Sequence, residues 1–441
     1  MIFIVSFNNN FPLFSPCEYN SIEAGDYMRK IKKIFFLGTL LSLTLLSLSG
    51  CFISKGPSSS STKTTFYKVD FYCDDDIVNG KYVKPGEICT PLGGVIKDYY
   101  TFDGWYTDKT FTTPFDFSKP INNNVNVYAK MNENAIRTAE DLMALEGSTL
   151  SWKIKNDIDL SSIEEWTPIQ NFKGTLNGDG HTISGLRIRQ HHNFVGLFGL
   201  LKGCVLNLKL NVDIEISGED DSYDMDKYFG YGGLCGYCND IQVLDNIRDI
   251  TVKGRIYAPG RINVGGIVGR TPYRIRDCQN EATVAGKINV GGIVGYHQNQ
   301  NGSSIDHQSG IFDCINKGSI SGDTGVGGIV GGMYCKKNKT DVLTQQVWRC
   351  TNYGSVSANE SAGGIIGEYN SAFKGSYVSI DVKECENRGA VTATGCAAAY
   401  IGRLRATSVN ESWSTNTNLG TIVGNPRAIL YNDANGNPHD E

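Results

Sequence analysis

Gly265-Gly266-Ile267-Val268-Gly269, Gly291-Gly292-Ile293-Val294-Gly295, Gly327-Gly328-Ile329-Val330-Gly331 and Gly363-Gly364-Ile365-Ile366-Gly367 are four copies of one phrase. Looser copies flank them: Val195-Gly196-Leu197-Phe198-Gly199 and Gly232-Gly233-Leu234-Cys235-Gly236 before, Ala398-Ala399-Tyr400-Ile401-Gly402 after. The closing glycines lie 37, 33, 26, 36, 36 and 35 positions apart. A period in this range is the mark of a solenoid or array. A second phrase sits between copies: Cys278-Gln279-Asn280, Cys314-Ile315-Asn316, Cys350-Thr351-Asn352 and Cys385-Glu386-Asn387. A third follows it, as in Thr283-Val284-Ala285-Gly286 and Ser319-Ile320-Ser321-Gly322. Each period therefore offers three short β segments separated by Gly, Asn or charged turns, and no helical periodicity. Wound in one direction, three strands make one coil of a right-handed parallel β-helix. The shortest period suffices for such a coil at ~3.3 Å per strand residue. Longer periods carry insertions at a corner, such as Gln298 to Gln308 and Lys336 to Gln346.

The repeats assign roles to their residues. Glycine permits a tight corner or a close approach between coils, and the Ile-Val pairs stack into one core. Cys278, Cys314, Cys350 and Cys385 fall at equivalent places; disulfides, metal ligands and core thiols are the alternatives. Parallel neighbours point their Cβ atoms alike, and the spacing lacks the paired Cys-x-x-Cys that zinc favours, so buried thiols are expected. Cys235-Gly236-Tyr237-Cys238 is read the same way, because Cys235 stands where other copies have Val. Asn280, Asn316, Asn352 and Asn387 are expected to form a side-chain ladder from coil to coil.

Ahead of the repeat, residues 65–131 read as a small β unit. Phe66 to Phe71 and Val125 to Tyr128 alternate as half-buried strands, with turn signals at Asn79-Gly80 and Pro85-Gly86. Tyr100-Thr101-Phe102-Asp103-Gly104-Trp105-Tyr106, Pro114-Phe115-Asp116-Phe117-Ser118 and Val127-Tyr128-Ala129-Lys130 resemble the Listeria–Bacteroides repeat, also called the internalin-type B repeat. The resemblance implies a spacer or binding module on a cell surface. Trp105 is a ligand platform or a core residue; core is expected, since aromatics carry most of a small core's burial. Cys73 and Cys89 are candidates for a bridge within this unit. Thr138-Ala139-Glu140-Asp141 opens a short helix, with Thr138 as N-cap and Asp141 reaching back, placed to cap the solenoid within residues 132–165. Asn156-Asp157-Ile158-Asp159-Leu160, Trp166-Thr167-Pro168-Ile169 and Phe172 to Leu186 resemble the GLUG-motif repeat family, which implies that 166–405 is a β-helix of GLUG type. Residues 406–441 are read as a C-terminal cap and tail.

At the other end, Arg29, Lys30, Lys32 and Lys33 precede an apolar run from Ile34 to Leu48, too short to span a bilayer comfortably. A charged start, a short apolar core and a small-residue exit make a secretory signal. The exit, Leu48-Ser49-Gly50-Cys51, resembles the bacterial lipobox. That implies cleavage before Cys51 and lipid on its sulfur; two or three acyl chains anchor a protein stably where one does not. The signal opens at Met28, so translation is expected to start there, leaving 1–27 outside the protein, 28–50 as signal peptide and 51–64 as a Gly-, Pro- and Ser-bearing tether.

The chain left after such cleavage has 37 basic and 43 acidic side chains, a net charge of −6. It has no basic patch of the kind that nucleic acid binding requires. Catalytic patterns such as Gly-x-Ser-x-Gly and His-Glu-x-x-His are missing, and His181, His191 and His192 have no evident nucleophile to serve. Glu219, Asp220, Asp221, Asp224 and Asp226 form an acidic insertion read as a solvated loop rather than a Ca²⁺ site. No cofactor or metal is implied. The expectation is a lipid-anchored protein on the extracellular face of a bacterial envelope. Its partners are the membrane, through Cys51, and a glycan or a host or neighbouring-cell protein, bound without catalysis. The alternative is a polysaccharide lyase or hydrolase, which needs converging carboxylates; Asp277 and Asp313, in adjacent coils, are its candidates, although Arg349 and Glu384 follow in the same column.

Overall fold

A computed structural model describes residues 2–4, 65–219, 229–239, 247–299, 309–335, 344–371, 378–405, 409–425, 428–432 and 438–440. Cys51, the signal segment and most of the acidic insertion lie outside these residues. Among the described residues the chain is all-β apart from one short helix, and it divides into two compact units, 1–133 and 134–441.

The first unit is a single sheet in which Tyr67–Cys73 lies between Asp76–Val83, antiparallel, and Val125–Glu133, parallel. Tyr100–Tyr106 and Val95–Lys97 continue it, with Ile2–Ile4 beside the last. Alternation sends Val69, Phe71 and Cys73 inward to meet Trp105, Val127 and Ala129. Trp105 is 5% exposed, its ring edge-on to Phe71, and its indole donates to the Leu92 carbonyl at 3.2 Å. It is a core residue. Two expectations fail here. Asn79-Gly80 is not the turn: both residues pair within the hairpin, and the chain reverses at Asp74-Asp75, where Asp74 takes a φ of 55°. Aspartate tolerates that left-handed conformation well, and the Asp74-Asp75-Asp76 run hides the signal among like residues. Cys73 and Cys89 are both buried, but each is a free thiol.

The second unit is a parallel β-helix. Thr138 caps the helix Ala139–Met143, with Asp141 completing the capping box, and Leu142 and Leu145 are fully buried at the start of the solenoid. One coil runs through Ile275–Arg276, Gln279–Asn280, Thr283–Ala285, Ile288–Gly291 and Val294–Asn299. Each strand pairs in parallel with its equivalent one coil on. Five short strands thus replace the three segments expected. Asn207, Asp249, Asp277, Asp313, Arg349, Glu384 and Thr415 all take φ between 53° and 56° at one corner. Ile267, Ile293, Ile329 and Ile365 are wholly buried in a column, beside Val268, Val294, Val330 and Ile366.

The glycines of the repeated phrase answer to space rather than to φ. A Cβ on Gly328 would sit 2.2 Å from the Gly364 carbonyl oxygen of the next coil. The ladder also runs past residue 405, where the sequence reading ended the helix. Thr417–Asn418 pairs with Glu386–Asn387, and Ile422–Asn425 with the strand Val391–Ala398. This coil lacks the Gly-Gly-Ile-Val-Gly phrase that marks the others.

Candidate functional site

Cys278, Cys314, Cys350 and Cys385 point into the core as free, buried thiols, and burial pushes Cys314 and Cys350 well above the ordinary thiol range. The Cys314 thiol donates to the Phe312 carbonyl at 3.1 Å and that of Cys385 to Val347 at 3.2 Å. Raised, desolvated thiols are poor nucleophiles, so this column is structural. Beside it runs the amide ladder. Asn280 donates to Asn316 at 2.8 Å, Asn316 to Asn352 at 2.8 Å, Asn352 to Asn387 at 2.9 Å, and Asn387 to Asn418 at 2.8 Å. Each amide gives its other proton to the carbonyl two residues on, as Asn316 does to Gly318 at 2.9 Å. Asn418 is the member that sequence reading missed, although Asn-x-Gly, shared by Asn316, Asn352, Asn387 and Asn418, was a signal for it.

The two acids named as candidates for a lyase or hydrolase, Asp313 and Asp277, are each paired with an arginine. Arg349 grips both carboxylate oxygens of Asp313, at 2.6 and 2.8 Å, and Arg276 meets Asp277 at 2.9 Å. His181 lies 3.1 Å from Asp157, which also accepts the Thr182 amide at 2.9 Å. These bonds hold the Asp157 carboxyl below its usual range and fix the turn after Gly180. His191 meets the Tyr231 hydroxyl at 3.2 Å. Glu219 pairs with Lys287 at 2.9 Å; the other four acids of that insertion lie outside the described residues. Among the described residues no group of three His, Cys, Asp or Glu side chains is placed to hold a metal.

Sequence reading also passed over His297. It is fully buried, with Nε2 3.2 Å from the Tyr273 carbonyl and 3.3 Å from the Ser309 hydroxyl. Nδ1 lies 3.4 Å from the Gln345 side-chain nitrogen, while Ser309 donates to the Pro272 carbonyl at 2.6 Å. The amide nitrogen can only donate to Nδ1, so Nε2 carries the ring proton and points it at Tyr273. An imidazole in that tautomer cannot take a proton from Ser309. The cluster ties coils together and is no nucleophile–base pair. Its members come from segments without a repeated pattern, which is why sequence offered no cue.

Outside the main core run aligned side-chain columns, the first largely covered, with Phe312 buried, and the second mostly exposed. In the register Arg248, Arg276, Phe312, Trp348 and Lys383 succeed one another. Phe312 and Trp348 meet edge to face at 5.6 Å. Arg274 stands over Phe312 at 5.2 Å and Lys383 over Trp348 at 5.6 Å, contacts of cation–π type. The Trp348 indole donates to Asp381 at 3.0 Å. A second column runs Glu281, Lys317, Tyr353 and Arg388, with Lys317 3.4 Å from Glu281 and Arg388 over Tyr353 at 5.4 Å. Both columns mix aromatic surface with paired charges.

Residues 67–130 match the Listeria-Bacteroides repeat domain family. The matched residues lie within the first unit. Over 158 residues the chain is 32% identical to Halomucin of Haloquadratum walsbyi, a stretch that is 31% of this chain and 2% of that protein. A solved structure from Bacteroides ovatus, provisionally described as an immunoglobulin A1 protease, aligns with a TM-score of 0.41 at 17% identity, over 70% of this chain and 91% of that one.

Proposed function

We propose that this is a lipid-anchored bacterial cell-surface protein whose β-helix is a non-enzymatic binding module for a glycan or a neighbouring-cell protein. The observation that carries the binding reading is the column of half-buried Arg276, Trp348 and Lys383, backed by the buried Phe312, set at equivalent positions of successive coils. Coils spaced ~4.8 Å apart give a rigid strip of aromatic and cationic side chains along the solenoid, suited to an extended ligand. The matched repeat domain supports a surface setting. The anchor rests on Leu48-Ser49-Gly50-Cys51, and the GLUG resemblance supports the same class of protein.

Two measurements test the parts separately. Cys51→Ser should abolish acyl labelling and release the protein from membranes; a variant that still carries label is anchored elsewhere. Residues 52–441, screened against glycans and cell-surface proteins, should yield a ligand whose binding falls at least tenfold in Trp348→Ala. Turnover of any glycan in that screen would replace the binding reading with a lyase or hydrolase. Binding untouched by Trp348→Ala would move the site to another face.

A further inference from the structure

His297 and Gln345 meet at one corner of the solenoid, where the strands Val294–Asn299 and Val330–Cys335 end and the strand Thr344–Trp348 begins. Both side chains are wholly buried. His297 takes the inward place that Met333 and Tyr369 fill in the next two coils, so a polar ring stands where its neighbours put hydrophobic bulk. The Gln345 amide nitrogen donates twice. One proton goes to the Tyr334 carbonyl at 3.0 Å, which joins the two strand ends, and the other to His297 Nδ1 at 3.4 Å. The Tyr334 carbonyl can only accept, and that fixes which end of the amide faces the corner. The other end, Oε1, is buried and has no donor among the described residues. A buried acceptor left unpaired is costly.

This arrangement works only with a neutral ring. Nε2 already carries the proton that faces the Tyr273 carbonyl at 3.2 Å. A second proton lands on Nδ1, where it opposes the Gln345 N–H, and two donors cannot pair. Turning the amide over offers Oε1 to the new N–H in a charge-assisted bond, but it also takes the donor away from Tyr334. The amide can serve the Tyr334 carbonyl or a charged ring, and not both. The remaining groups around the ring are uncharged: the Ser309 hydroxyl, Thr271 and Met333 at the paired positions, and Tyr369 beyond Met333. The cations of the adjoining strand and turn engage other groups, Arg270 the Gln298 side chain and Arg274 the Phe312 ring. We infer that His297 and Gln345 form a proton-operated latch, which joins the ends of Val330–Cys335 and Thr344–Trp348 while the ring is neutral and releases the Tyr334 carbonyl when the ring is charged. Burial holds the charging of the ring down to about pH 4, so the latch is closed at neutral pH and opens in acid. Trp348 lies on the strand that the latch anchors, yet the latch is tested without a ligand and stands apart from the binding reading.

The test is amide hydrogen exchange of residues 52–441, read as protection factors at about pH 6.5 and about pH 4. In the wild type, protection in 330–335 and 344–348 should fall about tenfold or more on acidification, while the strand Ile320–Gly322 changes little. His297→Gln has no ring to charge and should keep those amides protected at both values. Gln345→Met keeps the volume but cannot donate to Tyr334, so it should show the low protection already at the higher pH. It retains His297, and it carries the test should His297→Gln disturb the core. Wild-type protection that is the same at both values overturns the inference, as does a loss shared equally by 320–322. Acid loss undiminished in His297→Gln, or wild-type protection in Gln345→Met, overturns it as well.

Discussion

His297 is held neutral by its surroundings. Burial lowers its pKa to about 4 against a smaller opposing effect of the Tyr273 carbonyl. The unfolded imidazole titrates near 6.5, so below that pH the unfolded chain binds a proton that the folded chain refuses. Stability from this group is therefore intact above 6.5, falls as pH drops towards 4, and changes no further below it. A shift of this size corresponds to about 3 kcal/mol. Between pH 6.5 and 4 the wild type should lose roughly that much more than His297→Gln in denaturant unfolding. Equal losses would mean that the ring is not buried neutral. The contrast with the asparagines explains what sequence could reveal at this scale. Asn280, Asn316, Asn352 and Asn387 repeat in the chain because they repeat in space, and their ladder is legible. His297, Ser309 and Gln345 converge from three different coils, and nothing along the chain announces a one-off contact. Nor did the repeat reveal that Arg349 and Arg276 would occupy Asp313 and Asp277, since side-chain pairing across a left-handed corner depends on geometry.

Among the elements, the glycine corner is the least forgiving. Gly328 faces the Gly364 carbonyl with no room for a Cβ, and the Asn352 side chain closes the other side at 2.4 Å. Gly328→Val should cost about 3 kcal/mol or more, the upper range for overpacking. Ala399 is the equivalent residue of the last such corner, already carries a Cβ and is half-buried. Ala399→Val should cost less than about 1 kcal/mol. Thermal melts of the two variants compare the corners directly, and equal losses would contradict coil-to-coil packing as the source of the strain. The capping helix was readable because Thr138 and Asp141 stand at the spacing their hydrogen bonds require. The hairpin at Asp74-Asp75 was not, because Asn79-Gly80 offered the stronger local signal and the register of Tyr67–Cys73 against Asp76–Val83 overrode it. The coil of 415–425 escaped notice for a related reason. It keeps the Asn-x-Gly turn but drops the glycine phrase by which coils were counted.

For the whole molecule, the described buried hydrophobic residues fall into two clusters, one around Phe71 and Trp105 and one running along the solenoid. Each core is complete within its own unit, so residues 65–133 should fold alone. Calorimetry of residues 52–441 should then show a transition that coincides with that of the isolated 65–133 fragment. A fragment that stays unfolded would mean that the repeat domain depends on the β-helix. The solenoid was legible in the sequence because each period of 26 to 37 residues carries short β segments and no helical periodicity, which sets aside the helical arrays of similar period. The ligand was not, because aligned outward columns fix a surface and leave its chemistry to individual side chains. The same stacking has a mechanical consequence. Backbone hydrogen bonds between coils lie along the solenoid axis, so tension applied between its ends loads all the bonds of one boundary together. When a boundary yields, it pays out a single coil of chain and leaves the next boundary intact. A surface protein built this way would lengthen under load in small increments, absorbing a pull that would rupture a domain unfolding in one step.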